Sequence, residues 1–200
     1  MAAREFFFAR LVCHLETPCK GVERIESSLR QEPNGDLSAS YVLKGSVELL
    51  RLPPSVTPQR ADGLWRHTCF EAFVAVKGDS NYYEFNFSPS GQWGAYAFRG
   101  YRDGAALEDE ELNPGIALHI APEKFELHAV IRLSRLPAIA PAAALRVGLA
   151  AVIEERDGDL SYWALKHPPG KPDFHHPDGF LLEIQRPVDA VGNPAYNSKA

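Results

Sequence analysis

Of the 200 residues only three are cysteine, at 13, 19 and 69, and one is methionine, at position 1. An odd number of thiols with no Cys-x-x-Cys spacing excludes a disulfide framework and a zinc knuckle, and the expectation is free thiols in the reducing cytoplasm. A lone methionine excludes the Met/His axial pair by which some proteins hold haem, leaving only histidines. Positive charge is not in excess: 21 Lys+Arg stand against 26 Asp+Glu, a net charge of -5, so no field draws a nucleic-acid backbone. No apolar run reaches the roughly 18 residues that span a bilayer, since the richest stretch, Pro137 to Ala151, is broken at Pro141 and Arg146. The stretch from Met1 to Glu16 alternates charged and apolar residues without a small-residue cleavage site, and reads as a first strand rather than a leader. Long stripes of 3.6-residue period are missing as well, which excludes a helical bundle.

What is present is a 45% hydrophobic share, enough to bury a core, cut into short pieces by turn residues. Pro33-Asn34-Gly35-Asp36, Lys77 to Asn81, Pro89-Ser90-Gly91, Asp157-Gly158-Asp159 and Pro168-Pro169-Gly170 are examples. Strand-length runs lie between them: Glu5–Leu15, Leu37–Leu43, Phe70–Val76, Tyr82–Phe87, Gly94–Phe98, Ile116–Ile120, Phe125–Leu133, Leu145–Glu154, Leu160–Leu165 and Phe180–Ile184. In the run from Phe125 to Leu133, Phe125, Leu127, Ala129, Ile131 and Leu133 alternate with Glu126, His128, Val130 and Arg132, which predicts one dry face. The pattern predicts an all-β chain: an antiparallel two-sheet β-sandwich of jelly-roll type, forming one domain over 1–187 with a flexible tail over 188–200. Unpaired strand edges would suit a homodimer.

Polar residues set among aromatic strands mark the candidate site. If Val76 pairs with Tyr82 across the Lys77–Asn81 loop, Glu71 shares a face with Phe73, Tyr83 and Phe85, while Glu84 and Asn86 share the other. Carboxylates are seldom buried without partners. One reading pairs Glu71 with Arg66 or Arg99 to fix the sheet. The other gathers these groups in a pocket walled by Trp65 and Trp93, where flat rings pack on a sugar face and polar groups bond its hydroxyls. The Pro-stiffened segment from Lys166 to Asp178 holds three of the seven histidines and can either pin itself to backbone groups or line a binding edge. Arg99, Tyr101 and Arg102 could grip an anionic substituent or answer the acidic run Glu108–Glu111, which is itself either a solvated loop or, with Asp103, a calcium site.

The segments Leu64 to Val74, Tyr82 to Phe98, Leu145 to Glu155 and Ser161 to Phe180 resemble the DOMON-like proteins akin to family 9 carbohydrate-binding modules. The likeness spans roughly Phe6 to Ile184. It rests most on Trp65 with Glu71, the aromatic strand ending in Ser88-Pro89-Ser90-Gly91, and Tyr162-Trp163-Ala164-Leu165. It implies a β-sandwich that binds sugars or, in some relatives, haem, with structural calcium in some members. The chain departs from the family at His67 and Thr68, where acidic residues are usual. The expected function is a non-catalytic module for a saccharide or related small polar ligand. Its expected site is Trp65, Arg66, Glu71, Asn86, Trp93 and Arg99, with His167 and His175 from the closing segment. No cofactor, metal, nucleic acid or membrane is expected. The alternatives are haem or metal held by histidines, such as His67 with His167 or His175, and a glycoside-acting enzyme using Glu71 with Glu84 or Asp173.

Overall fold

The computed structural model describes residues 6–140 and 143–185; the expected tail over 188–200 lies outside them. In chain order the strands are β1 (Phe6–Cys13), β2 (Val22–Gln31), β3 (Leu37–Gly45), β4 (Cys69–Val76), β5 (Tyr82–Phe87) and β6 (Trp93–Gly100). They continue with β7 (Asp103–Ala106), β8 (Ala117–Ala121), β9 (Lys124–Ile131), β10 (Leu145–Glu154), β11 (Leu160–Ala164) and β12 (Leu182–Ile184). Among the described residues the helical pieces are three-residue 3-10 turns, and no helix is long and apolar enough to cross a membrane.

Every pairing between these strands is antiparallel. One sheet runs β1-β2-β3-β9-β8 and the other β7-β6-β5-β4-β10-β11, with β12 beside β10. β1 belongs to both: Phe6 to Leu11 pair with β2, whereas Val12 and Cys13 pair with β11. The sheets pack face to face. Phe70 of β4 stacks on Phe125 of β9 with ring centroids 5.3 Å apart, and the buried Tyr41 hydroxyl of β3 donates to the Glu71 carbonyl of β4 at 2.7 Å. Alternation supplies this core. Phe125, Leu127, Ala129, Ile131 and Leu133 are all buried, as the sequence pattern requires, and each large side chain so buried contributes about 2 kcal/mol.

The second sheet is unusual in being covered on its other face too, so β4 and β5 show almost no polar alternation. The segment after β11 folds back across it. Phe73, Ala75, Tyr82, Ala150, Ala164 and Phe180 form a second, smaller cluster there, with Phe98 and Phe174 against it. Gly148 permits this approach, because a Cβ at that position would stand 2.9 Å from the Phe180 ring.

The β4–β5 register differs from the expected one by a residue. Ala75, not Val76, lies opposite Tyr82. Gly78, at φ +89°, carries the turn, the Asp79 amide bonds the Val76 carbonyl, and the Lys77 amide leaves the hairpin for the Ala144 carbonyl. Val76 therefore has no partner on β5, though it still pairs with Leu145 of β10. A slip of one flips every side chain of one strand, so Glu71 and Phe73 share the outer face with Tyr82, Glu84 and Asn86.

Candidate functional site

That outer face carries the acidic groups. Glu71 of β4 lies directly opposite Asn86 of β5, and Glu84 is two residues from Asn86 on the same side, so the two carboxyls are diagonal neighbours on adjacent strands. Beside them Ala150 pairs with Glu71, and Gly94 with Asn86, which keeps the sheet floor low. Two covers rise from it. Trp65, in the 3-10 turn Leu64–Arg66, meets Tyr96 of β6 edge to face at 5.8 Å, and Phe174 of the closing segment lies 6.0 Å from Tyr162 of β11. Between them the sheet stays open in a cleft of about 320 Å³. Glu71, Glu84, Arg102 and His175 supply its polar lining, and Trp65, Tyr96, Phe98, Tyr162, Pro172 and Phe174 most of its apolar one.

The cleft is held by hydrogen bonds around its rim. Tyr82 Oη lies 2.8 Å from His175 Nδ1 and accepts the Arg102 amide at 3.1 Å. Asp173 accepts from Tyr101 Oη at 2.8 Å, from Arg102 Nη2 at 2.9 Å and from the His175 amide at 3.1 Å. This clasp ties the closing segment to the β6–β7 turn, where Arg102 sits at φ 57°. Asp173 is accordingly held below the usual carboxylate range by Tyr101 and Arg102, against the opposing effect of burial.

The carboxyls at the centre are poorly supplied. Glu84 Oε1 accepts from Asn86 Nδ2 at 2.7 Å, whereas Glu71 Oε1, wholly buried, has no hydrogen-bond partner among the described residues. Burial, and then the nearby Glu84, push Glu71 well above 4.5. Burial pushes Glu84 to about 7 against the Asn86 bond and the Arg102 charge. His175, packed among Phe73, Tyr82 and Phe98, is driven the other way, to about 4, by burial and then by Arg102. Its Nε2 is 3.7 Å from Glu84 Oε2, an ion-pair distance, yet at neutral pH the imidazole is uncharged and the contact is not an ion pair. In the tautomer in which Tyr82 donates to Nδ1, Nε2 carries the proton and faces Glu84. The result is a hollow lined by two acids whose protonated forms burial favours, able both to donate to and to accept from hydroxyl groups.

The structure brings four of the expected residues together: Trp65, Glu71 and His175 line the cleft, and Asn86 lies beneath it, fully buried against Glu84. The other four lie elsewhere. Trp93 is 1% exposed in the core between the sheets, because the alternation of β6 sends Trp93, Ala95 and Ala97 inward and Gly94, Tyr96 and Phe98 outward. The expected wall of two tryptophans is therefore replaced by Trp65 with Tyr96. Arg99 points to solvent and pairs with Asp103 at 3.1 Å, and Arg66 is exposed outside the cleft, so neither answers Glu71. His167 sets Nε2 2.8 Å from the Val12 carbonyl and its ring edge-on to His14, which fixes the closing segment to β1. Of the expected haem histidines, His67 is 2.8 Å from Glu154. Among the described residues no three His, Cys, Asp or Glu side chains meet in an arrangement for a metal ion. In the acidic run, Asp109 and Glu111 pair with Arg135. Sequence reasoning missed Tyr96, Phe98, Tyr162 and Phe174 as walls; the β5–β6 pairing, which sets Tyr96 opposite Glu84 and Phe98 opposite Tyr82, is the signal that could have found two of them.

No family model and no curated protein matches the chain. Solved structures do. A protein from Bacteroides uniformis, described as a candidate carbohydrate-binding protein, superimposes with a TM-score of 0.67 at 18% identity, over 88% of this chain and 84% of that one. A family 9 carbohydrate-binding module from Caldicellulosiruptor kristjanssonii in complex with cellotriose gives 0.53 at 12% identity, over 90% and 81% of the two chains. The same kind of module from that organism in complex with glucose gives 0.51 at 13% identity, over 90% and 83%. At these identities the likeness is one of fold: the chain has the β-sandwich of the family 9 carbohydrate-binding modules.

Proposed function

We propose that this chain is a non-catalytic saccharide-binding module, DOMON-like in kind, and that its ligand occupies the cleft between Trp65 and Phe174. One observation carries the reading. A wholly buried carboxyl oxygen, Glu71 Oε1, lies without a partner at the floor of an open, aromatic-walled cleft. An unpaired buried acceptor costs about 1–3 kcal/mol, which a ligand hydroxyl met by a small turn of the Glu71 side chain would recover on binding. Flat rings beside it suit the apolar faces of a sugar ring, and the 320 Å³ volume suits one or two sugar units. The two complexes with cellotriose and glucose show that sandwiches of this fold take saccharides.

Calorimetry against a panel of mono- and oligosaccharides tests the reading. The parent protein should bind at least one member, and Trp65→Ala should weaken that binding roughly tenfold or more, since stacking on an aromatic ring is worth about 1–2 kcal/mol. Chromatography of the same mixtures should recover the saccharides uncut. Unchanged affinity in folded Trp65→Ala would refute the assignment of the cleft, and cleaved saccharide would make the protein an enzyme.

A further inference from the structure

The polar lining of the cleft is unbalanced in sign. Among the described residues Arg102 is its one permanent cation, and Asp173, outside the lining, already answers it at 2.9 Å. His175 is neutral and spends Nδ1 on Tyr82. Two buried carboxyls remain, Glu71 with an oxygen that no group reaches and Glu84 with Oε2 facing only the distant His175 Nε2. Tyr96 is engaged elsewhere, its hydroxyl donating to Asp62 at 2.7 Å. Among the described residues three carboxyl groups, Glu71, Glu84 and Asp173, thus share one cation, Arg102. Around it stand Trp65, Tyr96, Phe98, Tyr162 and Phe174, whose ring faces attract a positive charge as well as sugar carbons. A neutral hydroxyl would use the geometry and leave that excess of acid over base untouched, whereas a ligand cation would offset it.

Building on the saccharide reading, we propose that the sugar this cleft takes carries a free amine, its ammonium seated on the Glu71 and Glu84 carboxyls: a hexosamine unit in preference to the parent hexose. The ammonium keeps its three protons as donors to the carboxyl oxygens. Each carboxyl that is protonated in the free protein gives its proton to the buffer as the ion pair forms, so charge and protons balance. No bond to carbon is made or broken.

Calorimetry at pH 6, with glucose, glucosamine, N-acetylglucosamine and glucuronic acid in two buffers of different ionisation enthalpy, tests this. Glucosamine should bind roughly tenfold to a hundredfold more tightly than glucose, the range of a charged hydrogen bond. It should also release roughly one proton for each carboxyl it ionises, seen as a buffer-dependent heat. N-acetylglucosamine, with the charge removed, should fall back to the level of glucose and release none. Glu71→Gln and Glu84→Gln should bring the glucosamine-to-glucose ratio near unity. If either variant fails to fold, proton release by the parent protein still decides. Equal binding of glucose and glucosamine, or tighter glucosamine binding without proton release, overturns the amine assignment and leaves saccharide binding standing. Binding of none of the four, nor of longer saccharides, by the folded protein overturns both.

Discussion

Replacing Glu84 by Gln removes one of the two buried acids while keeping its shape and an oxygen for the Asn86 amide. Burial raises this carboxyl from 4.5 to about 7. A folded value above the unfolded one means that the group favours folding fully below pH 4.5 and that this contribution is lost as pH rises through about 7. At roughly 1.4 kcal/mol per pH unit the loss is about 3 kcal/mol. Glu71, raised well above 4.5, adds a loss of the same sign. His175 runs the opposite way. Lowered from 6.5 to about 4, it contributes fully above pH 6.5 and loses that contribution, again about 3 kcal/mol, as pH falls toward 4. The slopes partly cancel in the parent protein, so its raw pH profile hides them. The difference between Glu84→Gln and parent isolates one. Measured by urea unfolding at pH 4.5 and pH 8, the stability of the variant relative to parent should rise by about 3 kcal/mol at the higher pH. In melting temperature this is roughly 6–12 °C for a chain of this size. A difference that is the same at both pH values would refute the claim that Glu84 is a buried acid held in protonated form.

Two further substitutions separate the core from the cleft. Trp93→Ala should cost about 3–5 kcal/mol of stability in denaturant unfolding, because the indole fills the space between the sheets, whereas Trp65→Ala, 41% exposed before the change, should cost about 1 kcal/mol. Comparable costs for the two would contradict their placement. Asp173→Ala breaks the bonds from Tyr101, Arg102 and the His175 amide, and should lower stability by about 2 kcal/mol while speeding amide exchange over Phe174 to Phe180 and sparing β3 and β9. Unaltered exchange in the closing segment would show that the clasp does not hold it.

The fold was legible where hydrophobic alternation is strong. β9 and β10 follow from their residues, and the all-β class follows from turn spacing. β2 was not legible, because Glu23, Arg24, Glu26 and Arg30 dominate it and a bulge between Val22 and Arg24 interrupts the period of two. β7, Asp-Gly-Ala-Ala, is an exposed edge that carries no apolar signal at all. The site was half legible for one reason. The residue types were right, Glu71, Glu84, Asn86 and an indole among aromatic strands, but their grouping depended on a hairpin register that the Lys77–Asn81 loop leaves ambiguous by one residue. The Lys77 amide bonds the Ala144 carbonyl, 67 positions away along the chain, on the β10 side of β4, and no local pattern encodes that contact. Trp93 was set beside Trp65 by residue type, without the β5–β6 pairing that turns it inward. The role of Arg102 in the cleft, beyond a grip on anions, depends on Asp173, which only the folded closing segment brings near.

The most direct measurement of the central claim is a titration of isotope-labelled protein with glucose, glucosamine and cellotriose, followed by NMR. The account requires saturable shifts at the Trp65 indole and at the Tyr96, Phe98, Arg102 and His175 amides, with Trp93 and the outward face of β2 and β3 unmoved. Saturable shifts centred on that far face, with the Trp65 and His175 signals unchanged, would contradict it.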